Sequence, residues 1–471
     1  MSPRTKLVVT LGPASSTPRL VRGLIQAGAT VFRLNFSHGS PDDHERAVGL
    51  VRDAEAEIGR ALAILVDLPG PKVRLGPLDP DPLTLRVGQR FELRPGGPGD
   101  ARGAATTYPG LADDLDPGDS VLLADGAVEL TVAAVDGGVV EMECVRGGVV
   151  RSHQGVNVPA ERLGVPPVTE RDRECLGRAL SLGVDFVAQS FVRAAADVHE
   201  LRAVMGDRVV PIVAKIETRP AVDAIDDILG VVDAIMIARG DLGVELPMEE
   251  IPLVQKSLLR KAREAGLPAI VATQMLESML HASRPTRAEA TDVANAVLDG
   301  ADAVMLSGET AIGEFPFEAA SAASRIAAHA EERGGAFRAP SPARLRAGEG
   351  AAVAHAVATI PSDDLGIVAI TCYTETGRTA RLLSSERPEV PIYAFVPPVE
   401  VRRALCLQWG VTALPAAVPP DTDEMIALMD AGLRRYGLAT DGQAVVMAAA
   451  SPAGRTTTNM LKIHRVGSPV R

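Results

Sequence analysis

The chain has 471 residues, 46% hydrophobic and 23% charged, the make-up of a soluble globular protein with about three domains. Its formal net charge of −12 argues against general nucleic-acid or anionic-membrane binding. No run approaches the ~18 apolar residues of a membrane span, the N-terminus lacks a signal-peptide pattern, and Cys144, Cys175, Cys372 and Cys406 are scattered without a C-x-x-C, so a cytoplasmic protein with neither disulfide scaffold nor zinc site is expected.

Short β-branched runs recur from the start: KLVVTLG (6–12), ATVFRLNF (29–36) and ALAILVDL (61–68). They resume with VDFVAQSF (184–191), VVPIVAKIE (209–217), DAIMIARGD (233–241), PAIVATQML (268–276) and ADAVMLSGET (301–310). Nearly continuous apolar runs suit parallel strands covered on both faces. Helical patterns lie between them, such as 18–28, 169–183 and 253–266, with Gly28, Gly183 and Gly266 at their ends. Eight strand–helix units predict a (β/α)8 barrel over 1–68 and 157–332. An open doubly wound sheet is the alternative.

Residues 69–156 differ in texture. Gly/Pro turns and short alternating strands predict a small antiparallel β domain, a β-barrel lid inserted in a barrel loop. After a Gly/Pro/Arg-rich linker (333–350), the runs LGIVAIT (365–371), VPIYAFV (390–396) and QAVVMAAAS (443–451) predict an α/β domain over 333–471.

Polar residues collect at the C-terminal ends of the barrel strands, where such barrels carry their chemistry. Arg33, Asn35, Ser37 and His38 end the second run, and Asp67 ends the third. Lys215 and Glu217 end the fifth, Arg239, Gly240 and Asp241 the sixth, Thr273 and Gln274 the seventh, and Ser307, Glu309 and Thr310 the eighth. Period two puts Lys215 and Glu217 on one strand face, and alone they read as an ion pair. Asp241, with no obvious lysine of its own, turns the reading toward a Mg²⁺ site of two carboxylates completed by water and substrate. Lys215 is then free to stabilise substrate charge. Asp241 is a good N-cap for a short helix whose free N–H groups, opened by Gly240 and joined by the Thr273 hydroxyl, suit a carboxylate. An ordinary βα turn is the bland alternative. Arg33 and Arg74 suit phosphate, although Arg74 also reads as a surface arginine. Asn35, Ser37 and Asp67 could hold a monovalent cation or bond each other.

FRLNFSHG (32–39), KIET (215–218), ARGDLGVELP (238–247), ATQMLESM (272–279), the block at 284–310 and the opening KLVVTLGPASS closely resemble the pyruvate kinase family over nearly the whole chain. The resemblance implies phosphoryl transfer from phosphoenolpyruvate to ADP, giving pyruvate and ATP, in a homotetramer. It implies Mg²⁺ (or Mn²⁺) on Glu217 and Asp241, Lys215 at the phosphoryl group in flight and Arg33 on the phosphate. Thr273 falls near the methylene face, the Gly240 turn at the carboxylate, and Asn35, His38 and Arg74 where the family binds nucleotide. This agrees with phosphoryl transfer as positioning plus electrostatics.

Where the commonest family segment reads D-T-K-G-P-E, this chain has Asp67-Leu68-Pro69-Gly70-Pro71-Lys72. By resemblance, Asn35, Ser37, Asp67 and the Leu68 carbonyl hold K⁺ in many members. Lys72 is therefore expected to act as a tethered internal cation that removes the K⁺ requirement, as in the family's potassium-independent branch. In the C-terminal domain the loop Thr374, Thr376, Gly377, Arg378 and Thr379 opens a helix, a phosphate-binding geometry. The family places its effector there. Glu375 stands where relatives activated by fructose-1,6-bisphosphate carry lysine, which favours AMP or a sugar monophosphate. Two other classes compete: an aldolase or lyase of 2-oxo acids, and a non-catalytic metabolite sensor. The first needs no Arg33 and Arg74, and the second would dispense with Lys215.

Overall fold

The computed structural model describes residues 3–159, 162–334, 348–360, 362–451 and 457–469. Most of the expected linker (333–350) lies outside the described residues. Eight parallel strands close into a barrel: β1 (Lys6–Thr10), β2 (Ala29–Asn35), β3 (Ala63–Asp67), β4 (Phe186–Gln189), β5 (Ile212–Ile216), β6 (Ala234–Ala238), β7 (Ala269–Ala272) and β8 (Ala303–Leu306). Each pairs with its neighbours in chain order, and β8 closes onto β1. The open-sheet alternative is excluded.

The intervening helices start where the sequence supplies caps. Thr17 accepts from Leu20 N–H with Pro18 in the first turn, and Ser40, Thr169 and Thr286 form capping boxes with Asp43, Asp172 and Glu289. Their apolar faces cover the outside of the barrel. The inside is filled by every second residue of the strands: Val8, Val31, Leu65, Ala188, Val213, Met236 and Ile270 are fully buried there. This alternation positions the site, because the same inward rows turn polar at the strand ends. Val31 leads to Arg33, Leu65 to Asp67, Ala188 to Ser190, and Val213 to Lys215 and Glu217.

Between β3 and β4 the chain forms a separate β domain. Strands Val156–Asn157, Ser120–Leu123, Val128–Asp136, Val139–Arg146, Arg90–Arg94 and Gly103–Ala105 make a six-stranded sheet in that order. Gly148–Val150 pairs with Leu83–Leu85 as a second, two-stranded sheet. Both share one apolar core around Phe91, Leu123, Leu130 and Met142. The expected small β-barrel is thus two sheets over a common core, without a ladder that closes them, and the pair Arg90–Arg94 with Gly103–Ala105 is parallel. Pro80 and Pro82, just ahead of Leu83–Leu85, offer no N–H to extend that edge.

The C-terminal sheet has the order β11 (Val411–Pro415), β10 (Ile392–Val396), β9 (Ile367–Tyr373), β12 (Ala444–Ala449), β13 (Met460–Arg465). The first four are parallel and β13 is antiparallel. Sequence reading identified β9, β10 and β12 and missed β11 and β13. Those two are the edge strands, whose alternating or short patterns lack the continuous apolar run of a central strand.

Candidate active site

The centre of the site is a run of buried charges at the C-terminal mouth of the barrel. Asp67, 1% exposed, takes both Nε and Nη2 of Arg33 on its Oδ2, at 2.8 and 2.7 Å. Its Oδ1 lies 3.3 Å from Lys215 Nζ. Register explains the meeting: Arg33 sits opposite Leu65 and Asn35 opposite Asp67, so Asp67 is one inward step beyond Arg33's neighbour. Lys215 Nζ also donates to Ser190 Oγ at 2.8 Å and pairs with Glu217 Oε1 at 2.9 Å. Ser190 in turn donates to the Leu68 carbonyl at 2.8 Å.

These contacts set the protonation states. Burial disfavours charge on Asp67, but Lys215 and Arg33 overcome it and hold its carboxyl below the usual range. Burial likewise opposes charge on Lys215, yet Asp67, Glu217 and Asp241 raise its ammonium well above the usual lysine value. Lys215 therefore stays cationic at neutral pH and serves as a fixed positive charge rather than a base. Burial, reinforced by Asp241, raises the Glu217 carboxyl against the pull of Lys215. Glu217 is fully buried; Phe191 N–H donates to its Oε2 at 2.8 Å. Its Oε1 has the Lys215 ammonium, at 2.9 Å, as its partner. A fully buried carboxylate close to a second one, Asp241, just past the end of the next strand fits a hard divalent cation. Among the described residues no cluster of three or more metal-ligating side chains exists, so protein ligation there rests on these two carboxylates.

Asp241 differs from the sequence reading in two ways. The helix after β6 spans Arg239–Glu245 with Ala238 at its N-cap, so Asp241 lies inside the first turn. It also has a lysine partner: Lys72 Nζ donates to its Oδ1 at 2.8 Å. Lys72 was expected among Asn35, Ser37, Asp67 and the Leu68 carbonyl. In that set Asn35 Oδ1 accepts from Ser37 N–H at 3.1 Å, Asp67 is shared by two cations and Leu68 O accepts from Ser190. The ammonium goes instead to the carboxylate that has no other ion pair among the described residues.

Thr273 follows β7 with φ of +70°, a strained conformation for a β-branched residue. Its Oγ1 donates to Ala272 O at 2.6 Å and accepts from Gly240 N–H at 2.8 Å. The Gly240 donor, expected for a substrate carboxylate, is engaged by Thr273 in this state. Arg239 buttresses the turn: Nη2 donates to Thr273 O at 2.8 Å and Nη1 to Asp292 Oδ1 at 2.7 Å. Glu309, fully buried, accepts from Ser307 and Leu276 N–H at 2.7 and 3.0 Å.

Arg33, Asn35, His38 and Thr273 line one cavity of about 920 Å³, with Ser307 and His44 on its walls. His38 is exposed, and partial burial with the charges of Arg74 and Arg33 keeps its imidazole below the usual pKa, hence neutral at pH 7. Arg74 is not on that wall; it stays on the inserted domain with Nη1 3.3 Å from His153 O. In the C-terminal loop, Gly377 N–H donates to Thr374 Oγ1 at 3.0 Å, Arg378 N–H to Thr376 Oγ1 at 3.4 Å, and Thr379 shares a hydrogen bond with Thr458 at 2.7 Å. Sequence reading missed Ser190 and Thr10, whose Oγ1 accepts from Arg33 at 3.1 Å. Both sit on inward rows, two residues after Ala188 and Val8, so strand periodicity could have found them.

Two family models match: "Pyruvate kinase, barrel domain" over residues 2–320 and "Pyruvate kinase, alpha/beta domain" over 351–464. Pyruvate kinase of Mycobacterium tuberculosis is 44% identical over 472 residues, covering 99% of both chains. That of Corynebacterium efficiens is 43% identical over 478 residues, covering 100% of this chain and 99% of the relative. A crystal structure of a pyruvate kinase from Cryptosporidium parvum superposes with a TM-score of 0.89 at 32% identity, covering 98% of this chain and 96% of that one.

Proposed function

Because the chain belongs to the pyruvate kinase family, and so is a glycolytic phosphotransferase that converts phosphoenolpyruvate and ADP to pyruvate and ATP, we propose the following roles for the side chains at its barrel mouth. The observation that carries them is the buried Arg33–Asp67–Lys215–Glu217 cluster. Asp67 orients two cations without consuming them, so Arg33 holds the phosphate and Lys215 faces the group in transit. The bond from phosphorus to the enol oxygen breaks while one forms to the β-phosphate oxygen of ADP. Negative charge grows on the enol oxygen and on the phosphoryl oxygens, and fixed cations in a buried site stabilise it most. The Thr273 hydroxyl, held by its strained turn, orients a water that delivers a proton to the methylene carbon, completing pyruvate.

The family uses Mg²⁺; Glu217 and Asp241 are the residues that would hold it, or Mn²⁺, where it would neutralise substrate oxygens. Asn35 and His38 on the cavity wall, with Arg74 brought in from the inserted domain, bind the nucleotide. Residues 69–156 act as the lid, and closure excludes water. K⁺ is not required, because Asp67 is already neutralised by Arg33 and Lys215, and Lys72 keeps a tethered positive charge at the barrel mouth whether or not it is paired with Asp241. The chain works in the cytoplasm as a homotetramer, and the 374–379 loop takes a phosphorylated effector. No helix among the described residues is long and apolar enough to cross a membrane.

The test is pyruvate release from phosphoenolpyruvate, ADP and Mg²⁺ in buffer free of K⁺ and NH₄⁺. Activity should change less than about twofold on adding K⁺, and Lys215→Met should lower it by roughly 10³, the scale of losing a preorganised electrostatic donor. A several-fold rise with K⁺ refutes the internal cation. Wild-type rates from Lys215→Met refute the cluster's role.

A further inference from the structure

Lys72 belongs to the irregular segment that leaves the barrel for the inserted domain, and the returning segment passes beside it. Val156 N–H donates to Val73 O and Leu75 N–H to Gln154 O, both at 2.9 Å, so the two segments are tied together. Gly155 approaches so closely that a Cβ there would lie 3.0 Å from Lys72 Cε. The Lys72 ammonium also sits 6.0 Å from the centre of the Phe191 ring, whose backbone N–H holds Glu217. From this hinge it crosses to Asp241, with the two side chains 23% and 25% exposed.

We propose that Lys72 is a latch: in the metal-free enzyme it occupies the carboxylate that the divalent cation needs, so metal loading and release of the lid hinge are one event. The proposal rests on Glu217 and Asp241 being the metal site. An ammonium at hydrogen-bond distance from Asp241 and a dication on the same carboxylate repel each other, so one displaces the other. Linkage then runs both ways: whatever the metal does to the Lys72 contact, the Lys72 contact does to metal affinity. The hinge segments carry the effect to the inserted domain, because Lys72 is packed against both.

The test measures Mn²⁺ binding to the free enzyme by electron paramagnetic resonance, without substrate or nucleotide. Lys72→Met should bind Mn²⁺ roughly tenfold more tightly than the parent, while Lys72→Arg, which keeps the charge, should stay within about twofold. Hydrogen exchange over 69–75 and 154–157 should speed up on adding Mn²⁺ to the parent. In Lys72→Met it should already be fast and should not respond. Equal or weaker Mn²⁺ binding by Lys72→Met overturns the latch. Glu217→Gln and Asp241→Asn separate the two failures. If they abolish Mn²⁺ binding while Lys72→Met does not tighten it, the latch alone is wrong. If they leave binding intact, the metal-site reading is wrong and the latch falls with it.

Discussion

Replacing Asp67 by Asn tests whether one buried carboxylate organises the phosphoryl-transfer cations. At an effective dielectric constant of about 20, unit charges 3.3 Å apart, as Asp67 and Lys215 are, attract by about 5 kcal/mol. At the 2.7 Å of the Arg33 contact the figure is about 6 kcal/mol. Neither is a net contribution, because Asp67 is almost wholly buried and its desolvation offsets much of the attraction. Removing one partner from a buried pair costs about 3–5 kcal/mol, and Asn keeps the shape and one acceptor, so about 3 kcal/mol is expected. Urea unfolding followed by circular dichroism reads this. The sign with pH follows from the lowered Asp67 pKa. Its stabilisation is fully present above the unfolded value of 3.8 and is lost as pH falls through the lower folded value. The gap between parent and variant should therefore be constant from pH 5 to 7 and close on further acidification. The same variant should lower kcat, since Arg33 and Lys215 lose the group that aims them. A stability loss below about 1 kcal/mol at pH 7, or a gap that widens on acidification, would refute the reasoning.

Two further outcomes can be checked directly. Arg239→Lys replaces a fork that bonds both Thr273 O and Asp292 with a single ammonium, so the strained turn loosens and kcat should fall about tenfold with little change in KM for phosphoenolpyruvate; a raised KM at unchanged kcat would contradict it. Lys6 donates to Val411 O at 2.7 Å, and burial pushes its pKa down to about 8 from 10.5. Its charge thus opposes folding below pH 8, and that opposition disappears as pH rises to 10.5. Lys6→Met should be stabilising relative to the parent near pH 7, with the difference shrinking steadily between pH 8 and 10.5. A difference independent of pH across that range counts against this.

Much of the site was legible before the fold. Arg33, Asp67, Lys215 and Glu217 stand at the ends of apolar runs, and an inward row that turns polar at a strand end announces itself by period alone. Ser190 obeys the same rule and was missed because a lone serine carries no charge signal. Arg239 was visible as a strand-end residue, but its function as a buttress depends on a backbone conformation at Thr273 that no residue type reveals. The inserted domain was recognisable from its turns, while its division into two sheets rests on long-range strand pairings that no local pattern reveals.

The eight strand–helix units, and the collection of charge at their ends, were determined by the sequence itself, because burial and periodicity are local properties of a chain. Which charge meets which was decided only by the tertiary structure. Lys72 is five residues from Asp67 and 169 from Asp241, yet it pairs with the second. Asp67 had already been neutralised by Arg33 and Lys215, and electrostatic attraction acts over distance in space and depends on what else is there, neither of which is written along the chain.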